Sequence, residues 1–163
     1  FVYSALEETG GCLMVSGEVY GYALADGTVD GVDLVCDRPD PSRMGSVSCS
    51  VRLFIGDMGS VDMGRAAVEV VTPDGTERLG RTAGASVWPG NWTIVRIGHA
   101  IPFRQADGDT LLEPGEQFEL LIYPTRALAP GERFLIRIVP PGGVPFTVKR
   151  TVPPRITPVM DLG

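Results

Sequence analysis

The chain is nearly without lysine, histidine and side-chain amides. Lys149 is the single lysine beside 13 arginines, and His99 is the single histidine. Asn91 is the only asparagine, and Gln105 and Gln117 are the only glutamines, in 163 residues. With one histidine, any Ser–His–Asp or Cys–His centre would have to run through His99. That residue stands among Gly98, Ala100 and Ile101, with no Gly-x-Ser-x-Gly elbow to accompany it, so no enzymatic activity is expected. No run of 18 apolar residues occurs, so no segment reads as a bilayer-spanning helix. Basic clusters are lacking too, and a formal net charge of −6 argues against a nucleic-acid surface. Gly56 to Ser60 has the look of a phosphate loop but lacks the Gly-Lys-Ser/Thr ending and a following helix. Scarcity of amides and of lysine fits a hot habitat, and it fits plain genomic base composition equally well.

What the chain has in plenty is turn residues, Gly 21 and Pro 14, set between short apolar runs. Ser46–Ile55 alternates most cleanly, with Val47, Cys49, Val51, Leu53 and Ile55 on one side and Ser46, Ser48, Ser50 and Arg52 on the other. A period of two marks half-buried strands. Further strand signals cover Leu13–Leu24, Val29–Cys36, Ala66–Thr72, Thr76–Leu79 and Trp92–Ile97. Ala25-Asp26-Gly27 and Pro73-Asp74-Gly75 read as hairpin turns. The last third is the most regular. Leu-x-Pro-Gly-Glu-x-Phe occurs at Leu112–Phe118 and again at Leu128–Phe134. Proline pre-sets the first turn position and glycine supplies the positive φ of a type II turn. The repeat is expected to mark two neighbouring strands entered by the same turn. These signals predict an all-β chain, an antiparallel, Ig-like sandwich or barrel of about nine to ten short strands. Residues 12–163 form one domain. Residues 1–11, where Val2, Ala5 and Leu6 have helical spacing before Thr9-Gly10-Gly11, form a short N-terminal helical remnant.

Several residues stand out as candidate sites. Cys36 and Cys49 bracket a turn-rich stretch, and a disulfide between them would contribute about 3 kcal/mol by the loop-entropy argument. The competing reading is two buried thiols. Cys12 is left over. Asn91-Trp92-Thr93 is an N-glycosylation acceptor placed after Pro89-Gly90. Asp107 and Asp109 flank Gly108, with Glu113 and Glu116 close behind. Such loop oxygens suit structural Ca²⁺, and a solvated acidic turn is the plainer alternative. Asp57 and Asp62 are the next metal candidates, and no other cofactor is expected. Trp88 and Trp92 could offer a sugar-stacking platform, although packing is the commoner role for such a pair.

Four pieces then line up in order. Val51-Arg52-Leu53-Phe54-Ile55 precedes Gly59-Ser60-Val61-Asp62-Met63, and Leu111–Phe118 joins an acidic loop to its Leu-x-Pro-Gly-Glu opening. Pro140-Pro141-Gly142 leads into Phe146-Thr147-Val148-Lys149-Arg150-Thr151, and the chain closes on Pro158-Val159-Met160-Asp161-Leu162. Together they resemble archaellin, the flagellin of the archaellum filament. The resemblance implies an extracellular structural subunit whose outer β domain mediates subunit contacts and displays glycans, with Asn91 as the attachment point. It also implies a long apolar N-terminal helix that binds identical or paralogous subunits. That helix is missing here, so the chain is expected to be a truncated outer domain and, alone, monomeric, with no membrane contact. The alternative is an Ig-like extracellular binding module of an archaellum accessory protein or another archaeal surface protein.

Overall fold

The computed structural model describes residues 13–54, 59–99 and 110–163, with the side chains of residues 96–99 left aside. The expected helical remnant at 1–11, and with it Cys12, lies outside the described residues.

Fifteen strands and one 3-10 turn make up the described fold. One layer contains β7 (Ala67–Thr72), β8 (Gly75–Arg81), β13 (Arg133–Val139) and β14 (Phe146–Thr151), in the order β14-β13-β7-β8. The other contains β2 (Tyr20–Leu24), β5 (Asp40–Leu53), β10 (Asn91–His99), β12 (Glu116–Tyr123) and β15 (Val159–Asp161), in the order β10-β12-β5-β2-β15. β1 (Leu13–Val15) also pairs with β5. A short parallel contact of Asn91 and Trp92 with Gly80 and Arg81 joins the layers into one curled sheet. At the other end Arg150 Nε of β14 donates to the Gly163 carbonyl, 3.2 Å away. Both layers turn their apolar rows inward. Phe118, Leu120 and Ile122 of β12 meet a core that also holds Val68 and Val70 of β7 and Phe134, Ile136 and Ile138 of β13, all almost fully buried. Each such side chain contributes about 1.5–3 kcal/mol by leaving water.

A second, smaller sheet lies on the outside. It comprises β3 (Gly27–Val29), β4 (Val32–Leu34) and β9 (Ser86–Val87), in that order. Its Val29, Val32, Leu34 and Val87 cover Leu121 and Tyr123, the outward residues of β12, and form a separate cluster. Two-residue strands β6 (Val61–Asp62) and β11 (Leu111–Leu112) pair beside the 3-10 turn Met63–Arg65.

The all-β reading and its sandwich character hold. Strands outnumber the expected nine to ten because several have only two or three residues and two runs are interrupted. Leu13–Leu24 breaks at Gly17, φ +81°, and Val29–Cys36 breaks at Asp30-Gly31, φ +48° and +84°. Positive φ at both central residues is the requirement of a type I′ hairpin, so the β3–β4 turn is Asp30-Gly31. Ala25-Asp26-Gly27 is not a hairpin, because β2 pairs with β5 and β15 rather than with β3. Pro73-Asp74 does close the β7–β8 hairpin, with Thr72 opposite Gly75.

Candidate functional site

The repeated Leu-x-Pro-Gly-Glu-x-Phe unit is a self-capped turn used twice. In the first copy the Glu113 N–H donates to Glu116 Oε1 at 2.7 Å, while the Glu116 N–H donates to the Glu113 carbonyl at 3.0 Å. In the second, the Ala129 N–H donates to Glu132 Oε1 at 3.0 Å and the Glu132 N–H to the Ala129 carbonyl at 3.1 Å. Gly115 and Gly131 take φ +84° and +77°, which a side chain would resist. The flanking Leu112, Phe118, Leu128 and Phe134 are core residues. The glutamate thus satisfies an amide at a strand entrance that would otherwise lose a partner. The two strands are not neighbours, however. β12 pairs with β10 and β5, and β13 with β7 and β14. The same turn feeds opposite layers.

A polar corner surrounds the second copy. Arg126 pairs with Glu132 and reaches Asp74 Oδ2 at 3.4 Å. Burial pushes the Glu132 carboxyl upward, but the Arg126 guanidinium and the Ala129 N–H outweigh it and leave the group below its ordinary value. Glu77 of β8 accepts from the Thr125 N–H at 2.9 Å and from its hydroxyl, tying one layer to the loop leaving β12. Asp74, Glu77 and Arg126 line a shallow hollow of about 200 Å³. The corner is a structural clasp that the sequence reading missed; Arg126 and Glu132, six apart across the turn, were its only signal.

The cysteines correct an expectation. Cys36 and Cys49 are both free and buried, and no bridge joins them. Cys49 sits in β5 in the main core, while Cys36 lies against Tyr123, whose side chain belongs to the outer cluster. The sheet itself stands between the thiols. The stretch between them is also less turn-rich than its prolines suggest, because β5 already begins at Asp40. Burial pushes the Cys49 thiol up to about 12. Burial, and Cys36 beside it, likewise raise the Tyr123 phenol, and among the described residues no partner with hydrogen-bonding geometry reaches its hydroxyl.

Asn91 opens β10 immediately after the Trp88–Asn91 turn, where its N–H donates to the Trp88 carbonyl at 3.1 Å. It is half-buried, and Thr93 of the same acceptor motif is buried. The tryptophans divide: Trp92 is 1% exposed in the main core, whereas Trp88 is 51% exposed. They make no common platform. His99 ends β10 opposite Glu116. Among the described residues no group of three or more His, Cys, Asp or Glu side chains is placed to hold a metal. Asp57, Asp107 and Asp109 lie outside the described residues. Asp62 has a structural duty, accepting from the Gly64 N–H at 3.1 Å and the Thr110 hydroxyl at 2.7 Å.

Outward-facing residues distinguish the layers. β8, β13 and β14 present Arg78, Arg133, Arg137 and Lys149 to solvent, while the small sheet and its flanks present Asp26, Asp30, Asp33 and Asp37. Both sets were visible in the sequence, but only strand order assigns them to different faces.

No protein-family model matches the sequence, and no curated protein sequence matches it either. Solved structures do match. The chain is similar to archaeal flagellin FlaB1 from Methanocaldococcus jannaschii, with TM-score 0.63 and 14% identity over 92% of this chain and 95% of that one. It is also similar to the archaeal flagellum of Methanospirillum hungatei strain JF1, with TM-score 0.57 and 15% identity over 99% of this chain and 77% of that one. At such identities the likeness lies in the path of the backbone, and the curled two-layer sheet described above is an archaellin-like fold.

Proposed function

We propose that this chain is the outer β domain of an archaellin, a structural subunit of the extracellular archaellum filament. The observation that carries this reading is the near end-to-end correspondence with an archaeal flagellin, 92% of one chain over 95% of the other. The order of the Pro-Gly-Glu, Pro-Pro-Gly and Pro-Val-Met-Asp-Leu pieces supports it independently. In this role the domain contacts identical or paralogous subunits and displays glycan at Asn91, on the rim where β10 leaves its turn. Rigidity serves such a subunit better than a cleft does, and the self-capped strand entrances supply it. Proline also suits the exposed end of the sheet, since Pro140-Pro141 and Pro153-Pro154 bracket β14 and cannot donate to an added strand.

The test is gold labelling of archaella on cells of the source organism with antibody raised against this domain. Label along the filament supports the proposal, and bare filaments with label elsewhere on the cell refute it. Mass spectrometry of the peptide containing Asn91, taken from the native protein, checks the glycan: an unmodified Asn91 removes that part of the reading.

A further inference from the structure

The domain is electrically two-faced. Ala25–Asp37 carries Asp26, Asp30, Asp33 and Asp37 with no lysine or arginine among them, and all four are exposed. They surround the small sheet on the outside of β12, with Asp30 at the tip of the β3–β4 hairpin and Asp33 on β4. The opposite layer is basic outside. Leu135 lies opposite both Lys149 and Val71, and Arg137 opposite both Thr147 and Glu69, with Arg78 next in that row. Arg133, Arg137, Lys149 and Arg78 are exposed, and among the described residues the acid in these rows is the half-buried Glu69, which pairs with Arg137 at 3.7 Å. Within this face lies an open hollow of about 340 Å³, lined by Val71, Pro73 and Leu135 and edged by Arg133, Lys149 and Thr151. Since both layers turn their other faces into one core, the two outer surfaces look in opposite directions.

A uniformly spread charge of −6 would make copies repel in every orientation. The observed segregation leaves one orientation attractive, namely the basic face of one copy against the acidic hairpin of the next. We infer that the hollow on β7, β13 and β14 receives the Asp30–Asp33 hairpin of a neighbouring copy of this chain. Opposite charges supply the attraction and orientation, and the apolar floor excludes water beneath them. The contact joins two different patches, so it is heterologous and passes from copy to copy, in a ring or an open array according to the rotation between neighbours. It is weak between isolated domains and is strengthened by multivalency wherever subunits are held side by side. This contact deepens the filament reading and rests on it for its place in the cell.

The experiment is static light scattering of the purified chain at several salt concentrations, with two variants. In the first, Arg133→Glu with Lys149→Glu makes the basic face acidic. In the second, Asp33→Lys and Asp37→Lys with Asp30→Asn make the acidic face basic, Asp26 alone remaining; asparagine is chosen because position 30 holds a positive φ. Arg65→Glu with Arg155→Glu, both exposed residues outside the two faces, controls for net charge. The parent should show net attraction at low salt, weakening about tenfold in association constant by half-molar NaCl, as expected for a few exposed ion pairs. Each face variant alone should repel at low salt, and an equimolar mixture of the two should associate again. Circular dichroism confirms that the variants are folded. A parent that repels at all salt concentrations, or a mixture no more attractive than its components, overturns the contact. Filament labelling is scored separately: labelled filaments with no face-to-face attraction sink this contact alone, whereas face-to-face attraction without labelled filaments sinks the filament reading and leaves a self-association surface.

Discussion

Removing the carboxylate that closes each Pro-Gly turn should destabilise the domain by a specific and graded amount. Glu132 accepts the Ala129 N–H at 3.0 Å with its side chain 13% exposed, and it pairs with Arg126, which is 41% exposed. A hydrogen bond to a charged acceptor is worth about 1.5–3 kcal/mol, and a partly solvated ion pair about 0.2–1 kcal/mol. Glu132→Ala should therefore cost about 2–4 kcal/mol. For a chain of this size that lowers the melting temperature by roughly 5–12 °C. Glu116→Ala removes the matching bond of 2.7 Å at the entrance to β12 and should cost about 1.5–3 kcal/mol. Glutamine keeps an acceptor oxygen at the same reach, so each Glu→Gln variant should lose clearly less than its alanine counterpart. Urea unfolding followed by the fluorescence of buried Trp92 reads all four. Alanine variants within about 0.5 kcal/mol of the parent, or glutamine variants as unstable as the alanine ones, would refute the view that the repeat exists to cap a strand entrance.

Other outcomes follow from the same structure. Because the folded Glu132 carboxyl lies below its ordinary value, its contribution is fully present at neutral pH and is lost as pH falls from the usual carboxylate range, about 4.3, through the lowered folded value. The stability gap between parent and Glu132→Gln should hence shrink on acidification, and a gap constant from pH 7 to pH 3 would contradict the assignment. In a Cys12→Ser background, reductant should leave the melting temperature unchanged and Cys49 should resist thiol reagents until the chain unfolds; a reductant-sensitive midpoint would restore the disulfide. Trp92→Ala should cost about 3–5 kcal/mol and Trp88→Ala less than about 0.5 kcal/mol, a contrast that calorimetry measures and that equal losses would disprove.

Strands were legible where one face is buried and the other wet. β7, β8, β13 and β14 alternate because each lies between core and solvent, and their residues announce it. β5 was seen only from Ser46 onward, since Asp40-Pro41-Ser42-Arg43 pairs with little burial and carries no apolar period. The Asp30-Gly31 turn was a readable signal that the apolar count across Val29–Cys36 obscured. Pairing was harder. Nothing local tells Leu112–Phe118 and Leu128–Phe134 that their strands go to opposite layers, and nothing in the spacing of Cys36 and Cys49 reveals the sheet that separates them. Loop closure made a bridge plausible, but side-chain direction decides it. The candidate surfaces were hidden for the same reason: aspartates and arginines become two faces only when strand order assigns them sides.

The panel formed by β3, β4 and β9 rests on a cluster of its own, apart from the main interior. It follows that the molecule has two tiers of opening. The panel is expected to lift away first, baring Leu121, Tyr123 and the Cys36 thiol while the layers beneath remain closed, because its cluster shares no residue with the main core. Amide exchange in the panel would then run ahead of exchange in β5 and β12. An assembly built from such units would yield first at its cladding, long before its frame.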